Sequence, residues 1–214
     1  LSRSGYDLMV FDISTELSVL VAKEIRARIA YNLDTLGKHA DIIITCLPNS
    51  NIVQDVIFGA GDLANSMDAG NLIVDMSSCD PIQTDQIGQR LKEQKIGMID
   101  APVSGGVKGA HAGNLTIIIG GNEDDVKRVK PILDILGEKI FHTGRLGCGQ
   151  AMKALNNLCS AAGMLIVAEA LKAGEKFGLS PEMIIDVLNV STGRNNSTEK
   201  KFKQYILSGD YAKA

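Results

Sequence analysis

The 214-residue sequence is short of several features that would each point to a class of function. Its cysteines, Cys46, Cys79, Cys148 and Cys159, form no C-x-x-C pair and no Cys/His ligand spacing. Neither a metal site nor a disulfide framework is therefore expected, and the thiols read as reduced. Basic charge is not in excess: a net charge of −3 leaves no footprint for nucleic acid. Long apolar runs are missing as well. The longest, over residues 158–168, falls short of the ~20 residues that a bilayer crossing takes. No signal peptide or transit segment is visible. His39, His111 and His142 are scattered, with no acid or cysteine arranged as a triad partner. These absences describe a soluble, non-secreted protein of the cytoplasm or mitochondrial matrix, with neither nucleic acid nor membrane among its partners.

What is present is alternation. Short apolar strands are expected at residues 8–11, 42–47, 72–75, 97–100, 115–119 and 139–141. Between them, residues 15–30, 52–58, 81–94 and 123–136 read as helices, and Pro81 suits a first helical position. The glycine-rich stretch 101–114 reads as a loop. Such alternation argues a mainly parallel α/β sheet covered on both faces. After Gly144 the pattern changes to one long helical run over residues 151–177, apolar nearly all round at its centre. Ser180 and Pro181 then suit the cap and first residue of a helix reaching residue 190. The expected division is an α/β domain at 1–144 and a helical domain at 145–214. A helix apolar on most faces is usually buried in a core or subunit interface, so residues 158–168 predict a homo-oligomer.

Ligands of open α/β sheets sit beyond the carboxyl ends of the strands, and the polar loops here follow strands. Asp12 ends the first. In a dinucleotide fold its carboxylate accepts from the adenosine ribose hydroxyls and repels a 2′-phosphate, favouring NAD over NADP; capping the next helix is the equal alternative. Leu47 and Pro48, then Ser78, follow the next two strands and could line a dinucleotide, although such loops are commonplace. Ser104, Gly105 and Gly106 can offer a hydroxyl and backbone N–H groups to a carboxylate, or form a plain surface loop that Asp100 holds. The run G-R-L-G-C-G-Q-A-M-K-A-L-N-N, residues 144–157, opens a helix with Lys153, Asn156 and Asn157 on one face. In the first turns of that helix and partly desolvated, Lys153 has its pKa pushed towards the range useful for proton transfer. A solvated surface lysine is the plain alternative.

Taken in order, F-D-I-S, T-C-L-P-N, D-M-S-S-C-D-P, D-A-P-V-S-G-G and the lysine run resemble the β-hydroxyacid dehydrogenase family over essentially the whole chain. The resemblance implies a Rossmann-like sheet domain followed by an all-α domain. It implies NAD as cofactor, with NADP less favoured, and hydride exchange with a small 3-hydroxy carboxylic acid. By the same resemblance Lys153 is the catalytic acid/base, and Asn157 orients it or holds the substrate. Ser104, Gly105 and Gly106 bind the substrate carboxylate; Leu47, Pro48 and Ser78 line the NAD pocket. The implied reaction is oxidation of 3-hydroxyisobutyrate to methylmalonate semialdehyde, a step of valine catabolism, with 2-hydroxy-3-oxopropionate reduction as the alternative. A non-catalytic binding or oligomerisation module on the same fold is the reading from another class. The joint presence of Lys153, Asn157 and the Ser-Gly-Gly stretch argues against that module. The family's first strand and G-x-G-x-x-G turn, and its later helices, have no counterpart here, so the chain is expected to be incomplete at both ends.

Overall fold

A computed structural model of the chain describes residues 1–210. It divides into two compact units, Leu1–Lys153 and Ala154–Ala214. In the first unit, β1 (Met9–Val10), α1 (Thr15–Ile25), β2 (Arg28–Ile29), α2 (Leu33–His39) and β3 (Ile42–Thr45) alternate. They are followed by α3 (Ser50–Phe58), α4 (Leu63–Ser66), β4 (Leu72–Asp75), α5 (Pro81–Glu93) and β5 (Gly97–Asp100). Next come β6 (Val103–Ser104), α6 (Gly106–Ala112), β7 (Leu115–Ile119), α7 (Glu123–Leu136) and β8 (Gly137–His142). Pairing is parallel between β1 and β2, along β3-β4-β5 and between β7 and β8; β6 runs antiparallel against β7, and a single antiparallel bridge links Asp100 to Gly120. The mainly parallel, Rossmann-like architecture read from the sequence is the one present.

The central strand shows why. All four residues of β4 are buried, and successive side chains point to opposite faces. Leu72 and Val74 join Ile99, Ile117, Val129 and Leu133 in one core. Ile73 joins Val53, Ile57, Leu63, Ile87 and Leu91 in another. A strand covered on both sides has no polar alternation to show, only a continuous apolar run. The helices begin where side chains satisfy their free N–H groups: Ser14, Asn32, Asn49, Asp80, Asn122 and Ser180 each accept from the first turn that follows.

Three local expectations change. The helix expected over 15–30 ends at Ile25, because Arg26 turns into the left-handed region at φ 56° and Arg28 and Ile29 pair with β1. A two-residue strand is too short to show a period. The stretch 101–114 is not a loop but β6 and α6. The long helix α8 (Cys148–Lys176) starts three residues earlier than its apolar pattern does.

The second unit holds the rest of α8, then α9 (Pro181–Asn189) and a π-helical segment, Thr198–Ile206; no strand follows His142 among the described residues. Val167 and Leu171 of α8 pack with Ile185 and Phe202. At 29 residues, with a mean hydropathy of 1.4 over its most apolar stretch, α8 is by length and composition able to cross a membrane, which the 158–168 run alone is not. Its packing on Ile185 and Phe202 is that of a helix in a folded unit. The centre of α8 is also less covered than expected, with Leu158, Leu165 and Ile166 exposed in the single chain.

Leu91 and Leu133 are fully buried on opposite faces of the sheet. Leu91→Ala and Leu133→Ala are each expected to cost about 2–5 kcal/mol in urea denaturation, whereas Ile13→Ala, at an exposed position, costs under ~0.5 kcal/mol. A leucine replaced without loss would mean that its face is not a core.

Candidate active site

The register of the parallel strands aligns Thr45, Asp75 and Asp100 as the last residues of β3, β4 and β5. All three are buried, where an unpaired polar group is costly, and among the described residues only Asp75 Oδ2 of their side-chain oxygens is left without a hydrogen-bond partner. Thr45 Oγ1 donates to Asp75 Oδ1 at 2.9 Å, and the Ser77 N–H donates to the same oxygen at 3.1 Å. The Leu47 N–H donates to Ser77 Oγ at 2.9 Å, which ties the loop after β3 to the loop after β4. Between these ties Leu47 stays half-buried while Pro48 and Ser78 face solvent. Asp12, after β1, is exposed, and its Oδ1 accepts from the Ser14 N–H at 2.8 Å. The cap of α1 is Ser14, whose Oγ accepts from the Leu17 N–H, so Asp12 does not serve as that cap.

Asp100 carries the next level of organisation. Its Oδ1 accepts from the Gly147 N–H at 2.8 Å and its Oδ2 from the Gln150 N–H at 2.6 Å. A carboxylate from the end of β5 thus caps α8, satisfying donors that every helix start leaves free. The approach is close. A Cβ on Gly149 would stand 2.7 Å from Asp100 Oδ2 and 2.5 Å from the Ile118 carbonyl oxygen, so only glycine fits there. Burial pushes the Asp100 pKa up, against the lowering effect of the two N–H groups. Asp100 therefore holds the helix start rather than its own loop.

Lys153 is the sixth residue of α8, in its second turn rather than its first. It is half-buried and has no ion-pair partner among the described residues. Its pKa is lowered, and the cause is desolvation. Ser104 closes β6 half-buried, with no hydrogen-bond partner for its hydroxyl among the described residues; Gly105 and Gly106 follow, exposed, at φ 134° and 59°. Side chains rarely adopt such angles. Asn156 and Asn157 lie on the continuation of α8 in the second unit, both exposed.

Gln150 and Asp75 were not singled out from the sequence. Gln150 is buried, its Oε1 accepting from the Cys79 N–H at 2.9 Å and its Nε2 donating to the Ser77 carbonyl at 2.8 Å. Its signal in the sequence is a polar residue three positions before Lys153, hence on the same helical face. Beside it, burial and then the Asp75 carboxylate push the Cys79 thiol up to about 12.

Residues 1–144 match the family described as the NAD binding domain of 6-phosphogluconate dehydrogenase, and residues 147–214 the family described as NAD-binding of NADP-dependent 3-hydroxyisobutyrate dehydrogenase. The chain is 39% identical over 212 residues to 2-(hydroxymethyl)glutarate dehydrogenase of Eubacterium barkeri, covering 99% of this chain and 70% of that one. It is 37% identical over 194 residues to the probable mitochondrial 3-hydroxyisobutyrate dehydrogenase of Dictyostelium discoideum, covering 91% of this chain and 60% of that one. The chain thus spans between about 60% and 70% of the length of these two relatives. Among solved structures, 3-hydroxyisobutyrate dehydrogenase of Mycobacterium tuberculosis with L-serine superposes at a TM-score of 0.84 and 30% identity, over 93% of this chain and 67% of that one.

The raised pKa of Asp100 makes the folded state the tighter proton binder between the ordinary carboxyl value, 3.8, and the folded one. Stability contributed by this group therefore rises as pH falls through that window, the reverse of an ion-paired carboxylate. Asp100→Asn keeps one acceptor and turns an amide donor towards the other N–H, so a loss of about 1–3 kcal/mol is expected at pH 7. Denaturation of both proteins in steps from pH 7 down to the ordinary carboxyl value of 3.8 checks this: the gap between them should widen towards the acid end of that range. A gap that narrows would reverse the assigned sign.

Proposed function

Because the chain belongs to the β-hydroxyacid dehydrogenase family, we propose that it forms the dinucleotide and proton-transfer part of an NAD-dependent oxidoreductase of small 3-hydroxy carboxylic acids. Residues 1–144 hold the cofactor in this reading, and residues 145–214 serve the substrate and the contact between subunits. One observation carries it. Lys153 is half-buried, unpaired among the described residues and lowered in pKa by desolvation, on a helix whose start is fixed to the carboxyl edge of the sheet.

The residues at that edge fit a nicotinamide dinucleotide: Leu47 and Pro48 offer an apolar rim, Ser78 a hydroxyl with no protein partner among the described residues, and Asp12 an exposed carboxylate. Asp12 favours NAD, since a 2′-phosphate beside it would be repelled. When bound, the cofactor supplies the hydride acceptor or donor. Ser104, Gly105 and Gly106 anchor the substrate carboxylate, which fixes the alcohol carbon. Lys153 takes the hydroxyl proton in the oxidative direction and returns it in the reductive one. Asn157 holds the substrate hydroxyl. Their contribution is orientation and a proton at a defined atom.

The substrate class is a 2-substituted 3-hydroxypropanoate, with 3-hydroxyisobutyrate as the first candidate. The 39% identity to a 2-(hydroxymethyl)glutarate dehydrogenase supports a second. The two acids share the carboxylate and the primary alcohol and differ at C2, a methyl in one and a propionate arm in the other. The exposed Leu158, Leu165 and Ile166 support a homo-oligomer.

Lys153→Ala is expected to lower kcat by at least ~100-fold; a loss below tenfold would remove the lysine from this role. For the wild type, kcat/KM for oxidation should rise with pH through a value below the ordinary 10.5 of lysine, because the neutral amine is the base. In reduction it should fall through the same range. Measured beside each other with NAD and NADP, 3-hydroxyisobutyrate with NAD is expected to give the highest kcat/KM. A preference for 2-(hydroxymethyl)glutarate would install the second candidate, and turnover of neither would return the protein to a binding role.

A further inference from the structure

Gln150 has no part in the chemistry above, yet its side chain, one helical turn before Lys153, bonds to two backbone groups of another loop. It is 1% exposed, and a buried carboxamide must find partners for both its halves. Those partners flank one residue. The amide oxygen accepts from the Cys79 N–H and the amide nitrogen donates to the Ser77 carbonyl, the two bonds that a neighbouring peptide group would make. The residue left between them, Ser78, faces outward. Ser77 in turn accepts from the Leu47 N–H, so the same side chain is linked to the loop after β3. Its own backbone N–H donates to Asp100, and Lys153 follows it by three residues on one face of α8.

We propose that Gln150 is a positioning residue that sets the Ser78 loop, and with it the cofactor edge, in register with Lys153. The proposal rests on the cofactor reading of Ser78 given above. Gln150 touches neither reacting group. It acts by giving the loop after β4 and the first turn of α8 a single relative placement, so that a dinucleotide held at Ser78 lies at a set distance from the lysine.

The test pairs a measurement on the free protein with one on cofactor binding. Amide hydrogen exchange at Cys79 should be slow in the wild type and fast in Gln150→Met, which keeps the shape and removes both bonds. NADH titrated by fluorescence should bind about tenfold more weakly to Gln150→Met, the loss of one well-buried hydrogen bond's worth. In a Ser78→Ala background the same substitution should weaken binding by less than about twofold, because partners in one network are not additive. Gln150→Glu, which keeps the acceptor for the Cys79 N–H, should retain part of the Cys79 protection and bind NADH between the wild type and Gln150→Met. It serves as the folded comparison where Gln150→Met does not fold.

A fully additive pair, NADH binding unchanged in both Gln150 variants, or an unprotected Cys79 amide in the wild type would each overturn the proposal. A wild-type protein with a protected Cys79 amide that binds neither NADH nor NADPH would overturn it through the cofactor reading, so the two failures look different.

Discussion

A carboxylate cut off from water decides where the longest helix begins. Burying Asp100 is costly unless hydrogen bonds replace its hydration, and the start of α8 has donors with no partners of their own. Each solves the other's problem: one oxygen of Asp100 accepts from the first turn of α8 and the other from Gly147 just before it, and the helix receives a negative charge at its positive end. The fit requires backbone to come within contact of the carboxylate, which Gly149 and Gly120 permit and a Cβ would block. Since burial outweighs the hydrogen bonds in setting its pKa, the charge is not where the fold draws stability. What it supplies is placement. The end of β5 and the residues leading to Lys153 become one rigid element.

From that element the polar groups spread along the strand ends. Asp75 takes Thr45 and Ser77, Ser77 takes Leu47, and Gln150 takes Ser77 and Cys79. The loops that carry Leu47, Pro48 and Ser78 are therefore held by side chains underneath them, and the Ser78 hydroxyl they present outward has no partner among the described residues. Preorganised donors and acceptors of this kind cost little rearrangement when a ligand arrives. In the proposed reading, the carboxylate and alcohol common to 3-hydroxyisobutyrate and 2-(hydroxymethyl)glutarate would meet the same residues, and the C2 substituent is where the two acids part.

The strands were legible because β3, β4, β5 and β7 are short apolar runs with turn residues after them, and in β4, β5 and β7 burial on both faces leaves no competing period. β2 and β6 were not, since two residues in a strand carry no pattern and their pairing depends on partners distant in sequence. The Ser-Gly-Gly stretch showed its composition but not its conformation, because glycines at φ 134° and 59° serve equally in loops and at helix starts. Lys153 was visible as a residue type in a recognisable run. Its environment was not: the helix begins at Cys148, ahead of the apolar period, where Asp100 reaches across from β5. Gln150 stayed unread for the same reason. A glutamine in a helix is usually surface, and only the tertiary structure puts its carboxamide between two backbone groups of another loop.

The position of Cys79 has a consequence for durability. Sulfur is oxidised through its thiolate, and with a pKa of about 12 that form is scarce at neutral pH. Peroxide and alkylating reagents would meet the exposed Cys46 and Cys159 first. The hydrogen bonds that shape the loop after β4 are thus made around a sulfur that stays chemically quiet. Oxidants would therefore consume the exposed thiols while the geometry of the loop after β4 persisted.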